Sequence, residues 1–474
     1  MTPRILSLGL LVLAACAPKI DRTTAPAPLP TRAFTPPAPT EGRLSNGLRV
    51  VVVENHEVPM VFGRLAFLGG GRTDPAGREG LAAVTLDMLD EGAAGRDAAA
   101  LAAALRVLGA DLSASAGDDG AAVTFSTLGR NLGPTLDLLA DVVRRPDFPQ
   151  ADWDRLQKRR IAGLSRTRKD ADAVAGRVLD AVLFGDTYRG RMESEASYGA
   201  ITTADQRSWW ATYGAPDHAT LFVGGDTTLA ELMPLVEARF GDWKPSTAPP
   251  PAAVPRPAVA ASIQFVDRPG AAQSVVQVAA YPSAPTQADW FPLLLANMAV
   301  GGQFTARLNM NLREDKGWTY GANSRLSIDH AGGRWVASAG VHTEKTVPAV
   351  LECWKEFADA AAARPITADE LAAGRDSLLL GRPLAFESPD WRLGQEETVW
   401  RYQLPADWVA TWSDKLRAVQ LAEAQQAWTG LAQAPLVTLV VGDGAVVRAP
   451  LQALAAERGL AWVERDVDGA VRAP

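Results

Sequence analysis

The stretch GREGLAAVTLDMLDEG, residues 77–92, predicts a helix over 79–91, and the interpretation of the whole sequence depends on which side chains this helix carries. Side chains three and four residues apart lie on one face of a helix, so Ala83, Leu86 and Asp87 share a face. Two histidines at i and i+4 on such a face could bind one metal ion. Here the face offers a single carboxylate, so the stretch does not provide a metal site.

The remaining candidate metal ligands are isolated in the sequence. No histidine has another ligand at helical spacing, and we interpret all of them as surface or hydrogen-bonded loop residues: His56, His218, His330 and His342. Cys353 lies on an apparent helix face, where a buried structural thiol is the default interpretation. The sequence has no G-x-S-x-G, so a hydrolase with an unrelated site is poorly supported.

Around this stretch, the first half of the chain alternates short strands with helices. Runs rich in β-branched residues predict two paired strands, GLRVVVVEN (47–55) and VFGRLAFLG (61–69). Further strands are predicted at 120–128 and 219–225. Further helices are predicted at 96–108, 131–144, 151–168, 171–183 and 229–240. This pattern is typical of an α+β domain.

A proline-rich linker, STAPPPAAVPRP (246–257), precedes a second set of elements in the same order. They are strands at 274–281 and 436–443, helices at 289–300 and 347–362, and a hairpin at 318–328 and 334–341. A chain of 474 residues is also too long for one core of ordinary size. We therefore predict two tandem domains, 42–245 and 258–474, whose matching order suggests duplication.

The N-terminus, MTPRILSLGLLVLAAC, predicts a secretory signal over 1–15 rather than a membrane-spanning helix. Small residues before Cys16 match a bacterial lipobox, which predicts lipidation of Cys16 and a proline-rich tether over 16–41. Ala17 favours the outer membrane, with the protein facing the periplasm. The alternative is an ordinary signal peptide with an incidental cysteine. If Cys16 carries lipid, Cys353 has no partner for an intramolecular disulfide.

Composition excludes one class of partner. Hydrophobic residues make up 47% of the chain and charged residues 21%, as in soluble globular domains. The formal net charge is -7, and no basic stripe is present to neutralise phosphates. Nucleic acid is therefore not expected as a partner.

Two segments, DPAGREGLAAVTLDMLDEG (74–92) and FTARLNMNLREDKGWTYGANS (304–324), together with the tandem halves, resemble the pitrilysin (insulinase-like) family of inverted-motif zinc peptidases. This family includes the mitochondrial processing peptidases. The resemblance implies that each domain is a mainly antiparallel sheet covered by helices, and that the two form half of a clamshell chamber. Active relatives carry H-x-x-E-H on the first segment. The resemblance places Ala83 and Asp87 at the histidine positions and Leu86 at the glutamate.

The third zinc ligand of active relatives is a glutamate, and at its position this chain has Leu164. A catalytic zinc normally needs three protein ligands. The resemblance therefore implies no zinc in this chain.

The second segment keeps two side chains that matter in the relatives. We predict that Arg313 ends a helix stopped by Gly317, and that Tyr320 begins a strand. In relatives, an arginine and a tyrosine at this spacing face the metal and hold the substrate carbonyl, an arrangement that the Gly301-Gly302 pair before Phe304 supports. The alternative is that Arg313 caps a helix and Tyr320 fills an interface.

An edge strand near the cavity pairs with the peptide substrate in relatives. By position, the candidates here are residues 114–116 and 121–125.

These inferences predict a zinc-less, lipid-anchored subunit that is not active by itself. A homologous partner would supply the zinc, while this chain would bind peptide and contribute Arg313 and Tyr320. The alternative is a non-enzymatic scaffold or peptide-binding lipoprotein of the same fold.

Overall fold

The computed structural model describes residues 34–252, 254–282, 284, 287–330 and 332–472. These residues form two six-stranded sheets and one two-stranded ribbon, with helices packed on the sheets. The mixed α and β architecture is the one that the sequence predicts. No helix within the described ranges has both the length and the apolar character to cross a membrane.

The strands of the first half are built from β-branched and small residues, which fit a pleated and largely buried surface. They are β1 (Thr40–Arg43), β2 (Arg49–Glu54), β3 (Met60–Phe67), β4 (Gly92–Ala93), β5 (Arg96–Asp97), β6 (Asp111–Ala116), β7 (Ala121–Leu128) and β8 (Ala219–Gly225). Strands β4 and β5 form the ribbon, and the other six form a sheet in the order β1-β2-β8-β3-β7-β6.

Several helices of the first half begin at a capping side chain. At the helix Leu229–Phe240, for example, the Thr228 hydroxyl accepts the N–H of Glu231 and the Glu231 carboxylate accepts the N–H of Thr228. The helices are α1 (Leu81–Asp87), α2 (Ala98–Leu108), α3 (Leu132–Arg144), α4 (Gln150–Thr167), α5 (Ala171–Phe184), α6 (Glu195–Ala200), α7 (Thr203–Tyr213) and α8 (Leu229–Phe240).

The second half contains the other sheet. Its strands are β9 (Ser262–Asp267), β10 (Gln273–Ala280), β11 (Thr319–Ser327), β12 (Arg334–His342), β13 (Val437–Gly442) and β14 (Ala461–Arg465). Its helices are α9 (Trp290–Asn297), α10 (Arg307–Asn309), α11 (Thr346–Asp359), α12 (Ala368–Phe386), α13 (Pro389–Arg401), α14 (Trp408–Ala418), α15 (Leu421–Ala432) and α16 (Gly444–Glu457). Two π-helical turns, Met298–Gly302 and Met310–Asp315, flank α10.

The two sheets have the same topology. Read in the matching direction, the second sheet has the order β14-β9-β13-β10-β12-β11. In each, a parallel pair (β2 with β8, β9 with β13) is followed by antiparallel partners out to a hairpin edge (β6 with β7, β11 with β12). They differ at the other edge, where β1 is antiparallel to β2 and β14 is parallel to β9. The repeated topology supports the tandem arrangement.

The two halves exchange helices. Helix α5 comes from the first half, but its apolar face, which includes Val174 and Val178, packs on β10 and β13 of the second sheet. Reciprocally, α13 of the second half packs Leu393 on β3 and β8 of the first sheet, and Trp400 meets Phe222 with ring centroids 6.0 Å apart. One face of each sheet is therefore covered by a helix from the other half.

A buried polar junction joins the halves where β6 turns into β7. Asp119 accepts hydrogen bonds from the hydroxyls of Tyr188 (2.6 Å) and Tyr402 (3.1 Å) and from the main-chain N–H of His330 (3.1 Å). The Arg401 guanidinium donates to the main-chain oxygen of Asp119 at 3.0 Å. We call these five residues the Asp119 junction. Since three of these four contacts come from residues of the second half, the turn fixes the two halves to each other.

Two predictions about local structure are wrong. Strands β2 and β3 do not pair, because β8 lies between them and pairs with both. The helix predicted over 79–91 is only α1, since the chain turns after Asp87. The helix predicted over 289–300 is confirmed, because α9 is followed directly by the π-helical turn Met298–Gly302. The predicted hairpin is confirmed by the pairing of β11 with β12.

Candidate functional site

Helix α1 is held at its first turn by the buried carboxylate of Asp74. The two oxygens of this carboxylate accept hydrogen bonds from the main-chain N–H groups of Gly80 and Ala82, both at 2.8 Å. The first N–H groups of a helix have no partner within the helix, so an acidic side chain there is stabilising. Burial nevertheless raises the pKa of Asp74 to about 7, against the effect of these two hydrogen bonds.

The residues at the zinc-ligand positions do not fit a zinc ion. Leu86 is fully buried in the core of the first half, and Leu164 on α4 is buried in the same core. Ala83 has no ligand atom, so only the Asp87 carboxylate could coordinate a metal at these positions. Among the residues that the structure describes, no group of three His, Cys, Asp or Glu could hold a metal ion.

The Asp87 carboxylate already forms an ion pair with an arginine of the same chain. Arg160 on α4 donates from Nε to Asp87 Oδ2 at 2.8 Å, and its Nη2 donates to the same oxygen. Burial lowers the pKa of Arg160, but Asp87 outweighs this effect and raises the pKa above its ordinary value. Arg160 is not among the residues predicted from the sequence. The QKRR run on α4 indicates that a cation is available for an aspartate at a ligand position, but not which arginine binds it.

Arg313 and Tyr320 are positioned by two asparagines that the sequence analysis also missed. Asn311, at the π-helical turn, donates to the carboxylates of Glu352 (2.8 Å) and Glu356 (2.6 Å) on α11. Asn309 accepts a hydrogen bond from the N–H of Ala322 on β11 at 3.2 Å. The turn that carries Arg313 is thus tied both to a helix and to the strand that carries Tyr320.

The two predicted donors lie at the surface. Tyr320 is 88% exposed on β11, and the structure records no hydrogen bond to its hydroxyl. Arg313 forms an ion pair with its neighbour Glu314 at 3.1 Å and lies over the Phe304 ring, 4.7 Å from its centroid. Gly317 has a φ of +64°, the left-handed conformation predicted for the helix stop. Gly301 approaches Ser324 of β11 so closely that a Cβ would collide with it. Tyr320 is thus open to solvent, and Arg313 is partly exposed beside Glu314 and Phe304.

Two family models match adjoining parts of the chain. Residues 49–198 match the insulinase (peptidase family M16) model, and residues 200–378 match the peptidase M16 inactive domain. The chain belongs to the M16 peptidase family. The M16 fold is also that of a solved structure described as a peptidase M16 inactive domain from Pseudomonas fluorescens, with a TM-score of 0.79 and 25% identity over 85% of this chain and 98% of that one.

Relatives in the M16 family differ in how they are described. A Helicobacter pylori protein described as a non-peptidase homolog is 23% identical over 384 residues, which cover 79% of this chain and 87% of that protein. A Mycobacterium leprae protein described as an uncharacterized zinc protease is 26% identical over 367 residues, 75% of this chain and 81% of that protein. This chain is accordingly a peptidase-like protein of the M16 fold whose ligand positions do not fit zinc.

The structure separates the two segments that were candidates for pairing with a peptide. Residues 114–116 lie on β6, which is an edge strand and pairs only with β7. Residues 121–125 lie on β7, between β3 and β6, so their prediction as an edge is wrong. In the second sheet, β11 is the corresponding edge and carries Tyr320.

No histidine replaces the lost ligands in this M16 chain. His56 is exposed and lies 2.8 Å from Asp226, and His342 is exposed at the end of β12. His218 Nε2 lies 3.0 Å from the main-chain oxygen of Ala248. Burial and the nearby Arg72 and Arg401 lower the pKa of His330 to about 4.

Of the two cysteines, Cys353 lies within the described residues and Cys16 does not. Cys353 is buried on α11, and burial, with Glu352 and Glu356 nearby, raises the pKa of its thiol to about 12. A thiol in this state is not nucleophilic at neutral pH. The predicted lipidation site, Cys16, lies outside the described residues.

Proposed function

We propose that this chain is the zinc-less subunit of a two-chain M16 peptidase, in which it binds peptide and stabilises the scissile carbonyl opposite the zinc of a homologous partner. The observation that carries the proposal is the state of Arg313 and Tyr320. Both are held in place by buried asparagine contacts, yet among the described residues Tyr320 has no hydrogen-bond partner and the one ion pair of Arg313 is with the adjacent Glu314. Hydrogen-bond donors that are held in place but do not contribute to the core are suited to bind a ligand from outside the chain.

The chemistry of these donors fits hydrolysis of a peptide bond. When water adds to the scissile carbonyl, its oxygen gains negative charge, and donors already in position stabilise that charge. A guanidinium and a phenol hydroxyl can both donate to this oxygen. The attacking water would be activated in the partner, because no group of three His, Cys, Asp or Glu in the described part of this chain could hold a metal ion.

An exposed apolar surface around these donors supports a partner or peptide at this place. Phe304 is 64% exposed and its ring lies against the Arg313 guanidinium, and Met310, on the same π-helical turn as Arg313, is 38% exposed. Large exposed apolar side chains in one patch are typical of interaction sites. The edge strand β6 also leaves main-chain groups unpaired, to which an extended peptide could add as a further strand.

We further propose that the chain acts at the cell envelope, anchored through lipid on Cys16 and facing the periplasm. The proposal is supported by the lipobox and the proline-rich tether. A soluble partner in that compartment could reach the surface around Arg313.

Reconstitution with a zinc-bearing M16 partner tests the proposed function. Replacing Arg313 by Ala should lower kcat/KM for peptide cleavage by roughly 100-fold, the usual cost of one lost oxyanion donor. Replacing Tyr320 by Phe should act in the same direction. The matched control is Arg325→Ala, which removes an exposed arginine of β11, the strand that carries Tyr320, and should leave kcat/KM unchanged.

Two results would overturn the proposal. If Arg313→Ala and Arg325→Ala pairs cleave equally well, the chain is a scaffold, which is the alternative function. If the purified chain binds zinc stoichiometrically and a chelator abolishes its own peptide cleavage, the division between the two subunits is wrong.

A further inference from the structure

The place of the lost metal site is an open cleft lined by arginines. It lies between α1, α4 and α5, and its volume is about 550 Å³. Four arginines line it: Arg159, Arg160, Arg166 and Arg177. Two acidic residues, Asp87 and Glu193, line it as well. The cleft therefore carries an excess of positive charge, although the whole chain has a net charge of -7.

The ion pair between Asp87 and Arg160 removes one charge of each sign from this balance. Three arginines then face the single carboxylate of Glu193, which forms no ion pair among the described residues. Asp90 lies close enough to Arg159 to interact with it electrostatically. Even if Asp90 compensates Arg159, an anion entering the cleft would meet Arg166 and Arg177.

One side-chain N–H group of Arg177, a residue that lines the cleft, lacks a hydrogen-bond acceptor among the described residues. Its Nη2 donates to the main-chain oxygen of Glu193 at 2.9 Å, which fixes the guanidinium. Its Nη1 is buried and has no acceptor in the part of the chain that the structure describes. A buried donor without a partner is costly, and the cost is larger for a charged group. Arg177 lines the cleft, so a rotation of its side chain that brings Nη1 to a bound anion would remove this cost.

The cleft also has a neutral donor. Tyr198 lines it, and the structure records no hydrogen bond from the Tyr198 hydroxyl. Burial, together with Glu193 and Asp87, raises the pKa of Tyr198 to about 12, so the hydroxyl keeps its proton. A planar anion can accept two parallel hydrogen bonds from a guanidinium, and this geometry matches a carboxylate.

We propose that this cleft is a carboxylate-binding site, built on Arg177 and Arg166, that takes the C-terminal carboxylate or an acidic side chain of a peptide. The site replaces the lost metal centre with recognition of charge. It goes beyond the proposed function, because it lies in the first half and needs no partner subunit.

Direct binding to the full chain tests the proposal, measured by isothermal titration calorimetry at low salt. The probes are an N-acetylated tetra-alanine peptide with a free C-terminus, the same peptide amidated, and the amidated peptide with one alanine replaced by glutamate. We expect the first or the third probe to bind and the amidated neutral peptide not to bind. Which of the two binds identifies the source of the carboxylate. Equal binding of all three probes, or none, would overturn the proposal, as would binding of inorganic phosphate alone.

Variants locate the site. Arg177→Ala should weaken binding by about 10-fold or more, as expected for a charge-assisted hydrogen bond. Because Arg177 also holds the main chain at Glu193, Arg166→Ala is the second variant: Arg166 is exposed, and its loss should weaken binding without affecting folding. Arg106→Ala removes an exposed arginine on α2, outside the cleft, and controls for net charge. If Arg177→Ala and Arg166→Ala bind the probe as Arg106→Ala does, the site is not this cleft.

A gain of affinity provides a result that structural damage would not give. Asp87→Asn removes the carboxylate that holds Arg160 and so releases a further guanidinium to the cleft. Binding of the same peptide should become tighter by several-fold. Unchanged or weaker binding would contradict the charge balance on which the proposal rests.

Discussion

At the scale of single residues, the ion pair between Asp87 and Arg160 explains how a metal-binding face can lose its metal and stay folded. A partly buried carboxylate needs a cation or several donors. In a zinc peptidase the metal supplies the positive charge, and here the guanidinium of α4 does so from 2.8 Å. A metal ion would have to displace this arginine and would then find only one ligand, so the substitution favours the metal-free state.

Asp74 makes the stability of α1 dependent on pH. Its pKa is about 7 in the folded chain and near 4 in an unfolded one, so the folded state keeps a proton that the unfolded state has lost between these values. Unfolding therefore becomes more favourable as pH rises from 4 to 7, and the effect is constant above pH 7. Asp74→Asn removes this dependence. The difference in unfolding free energy between wild type and Asp74→Asn should change by about 1 kcal/mol or more across this range, measured by urea denaturation.

Asp186→Asn is the control for the Asp74 experiment, because Asp186 is exposed and forms no hydrogen bond or ion pair among the described residues. Its unfolding free energy should follow that of the wild type at each pH. A constant difference between wild type and Asp74→Asn from pH 4 to 7 would show that the pKa of Asp74 is the same in the folded and unfolded states, and the explanation from burial would fail.

The sequence specifies which residue types stand at 83, 86, 87 and 164, but not what replaces the metal. Arg160 and Asp87 are 73 residues apart, and nothing in the local pattern of α4 distinguishes Arg160 from Arg159. The asparagines that hold Arg313 were missed for the same reason. Their partners on α11 and β11 come from other elements.

At the scale of elements, runs of β-branched residues predict strands well but do not predict their neighbours. Strands β2 and β3 were identified from their sequences, yet the strand between them, β8, comes more than 150 residues later. Likewise, the apolar stripe of α5 predicts a helix that packs on a sheet, but not that the sheet belongs to the other half. Pairing and packing of this kind depend on long-range contacts, which periodicity does not contain.

The turn between β6 and β7 packs so closely against Arg401 that position 120 has room for glycine but not for alanine, and a single substitution can test this. A Cβ on Gly120 would overlap the guanidinium of Arg401, which donates to the main-chain oxygens of Phe67 (2.9 Å) and Asp119 (3.0 Å). Gly120→Ala should displace this buried arginine and destabilise the chain by roughly 2 to 4 kcal/mol. The measurement is the free energy of unfolding by denaturant.

Gly117→Ala in the same turn is a matched control, because a Cβ on Gly117 meets no atom within 4 Å. It should change the free energy of unfolding by less than about 1 kcal/mol. Similar losses for both alanine variants would mean that the turn needs glycine for its backbone conformation and that Arg401 does not lock the halves together.

At the scale of the whole molecule, the order of elements predicts the tandem arrangement, and the matching sheet orders support it. The sequence did not predict how firmly the halves are joined. The exchanged helices α5 and α13, the Asp119 junction, and the pairing of Arg64 with Glu397 at 2.8 Å all cross between the halves. A rigid arrangement of this kind suits the proposed subunit, which would present Arg313 and Tyr320 at a fixed position.

Helix exchange predicts that neither half is stable alone. Residues 34–245 lack α13, so Ala66, Val51 and Phe222 of the first sheet would face water, and residues 246–474 lack α5 in the same way. The full chain should unfold in one calorimetric transition, whereas each separate half should bind a hydrophobic dye and unfold without a sharp transition. Mixing the two halves should restore the transition and abolish dye binding, because each helix then finds its sheet. Two halves that unfold separately and as sharply as the full chain would show that the exchanged helices contribute little, and that the two sheets are independent domains.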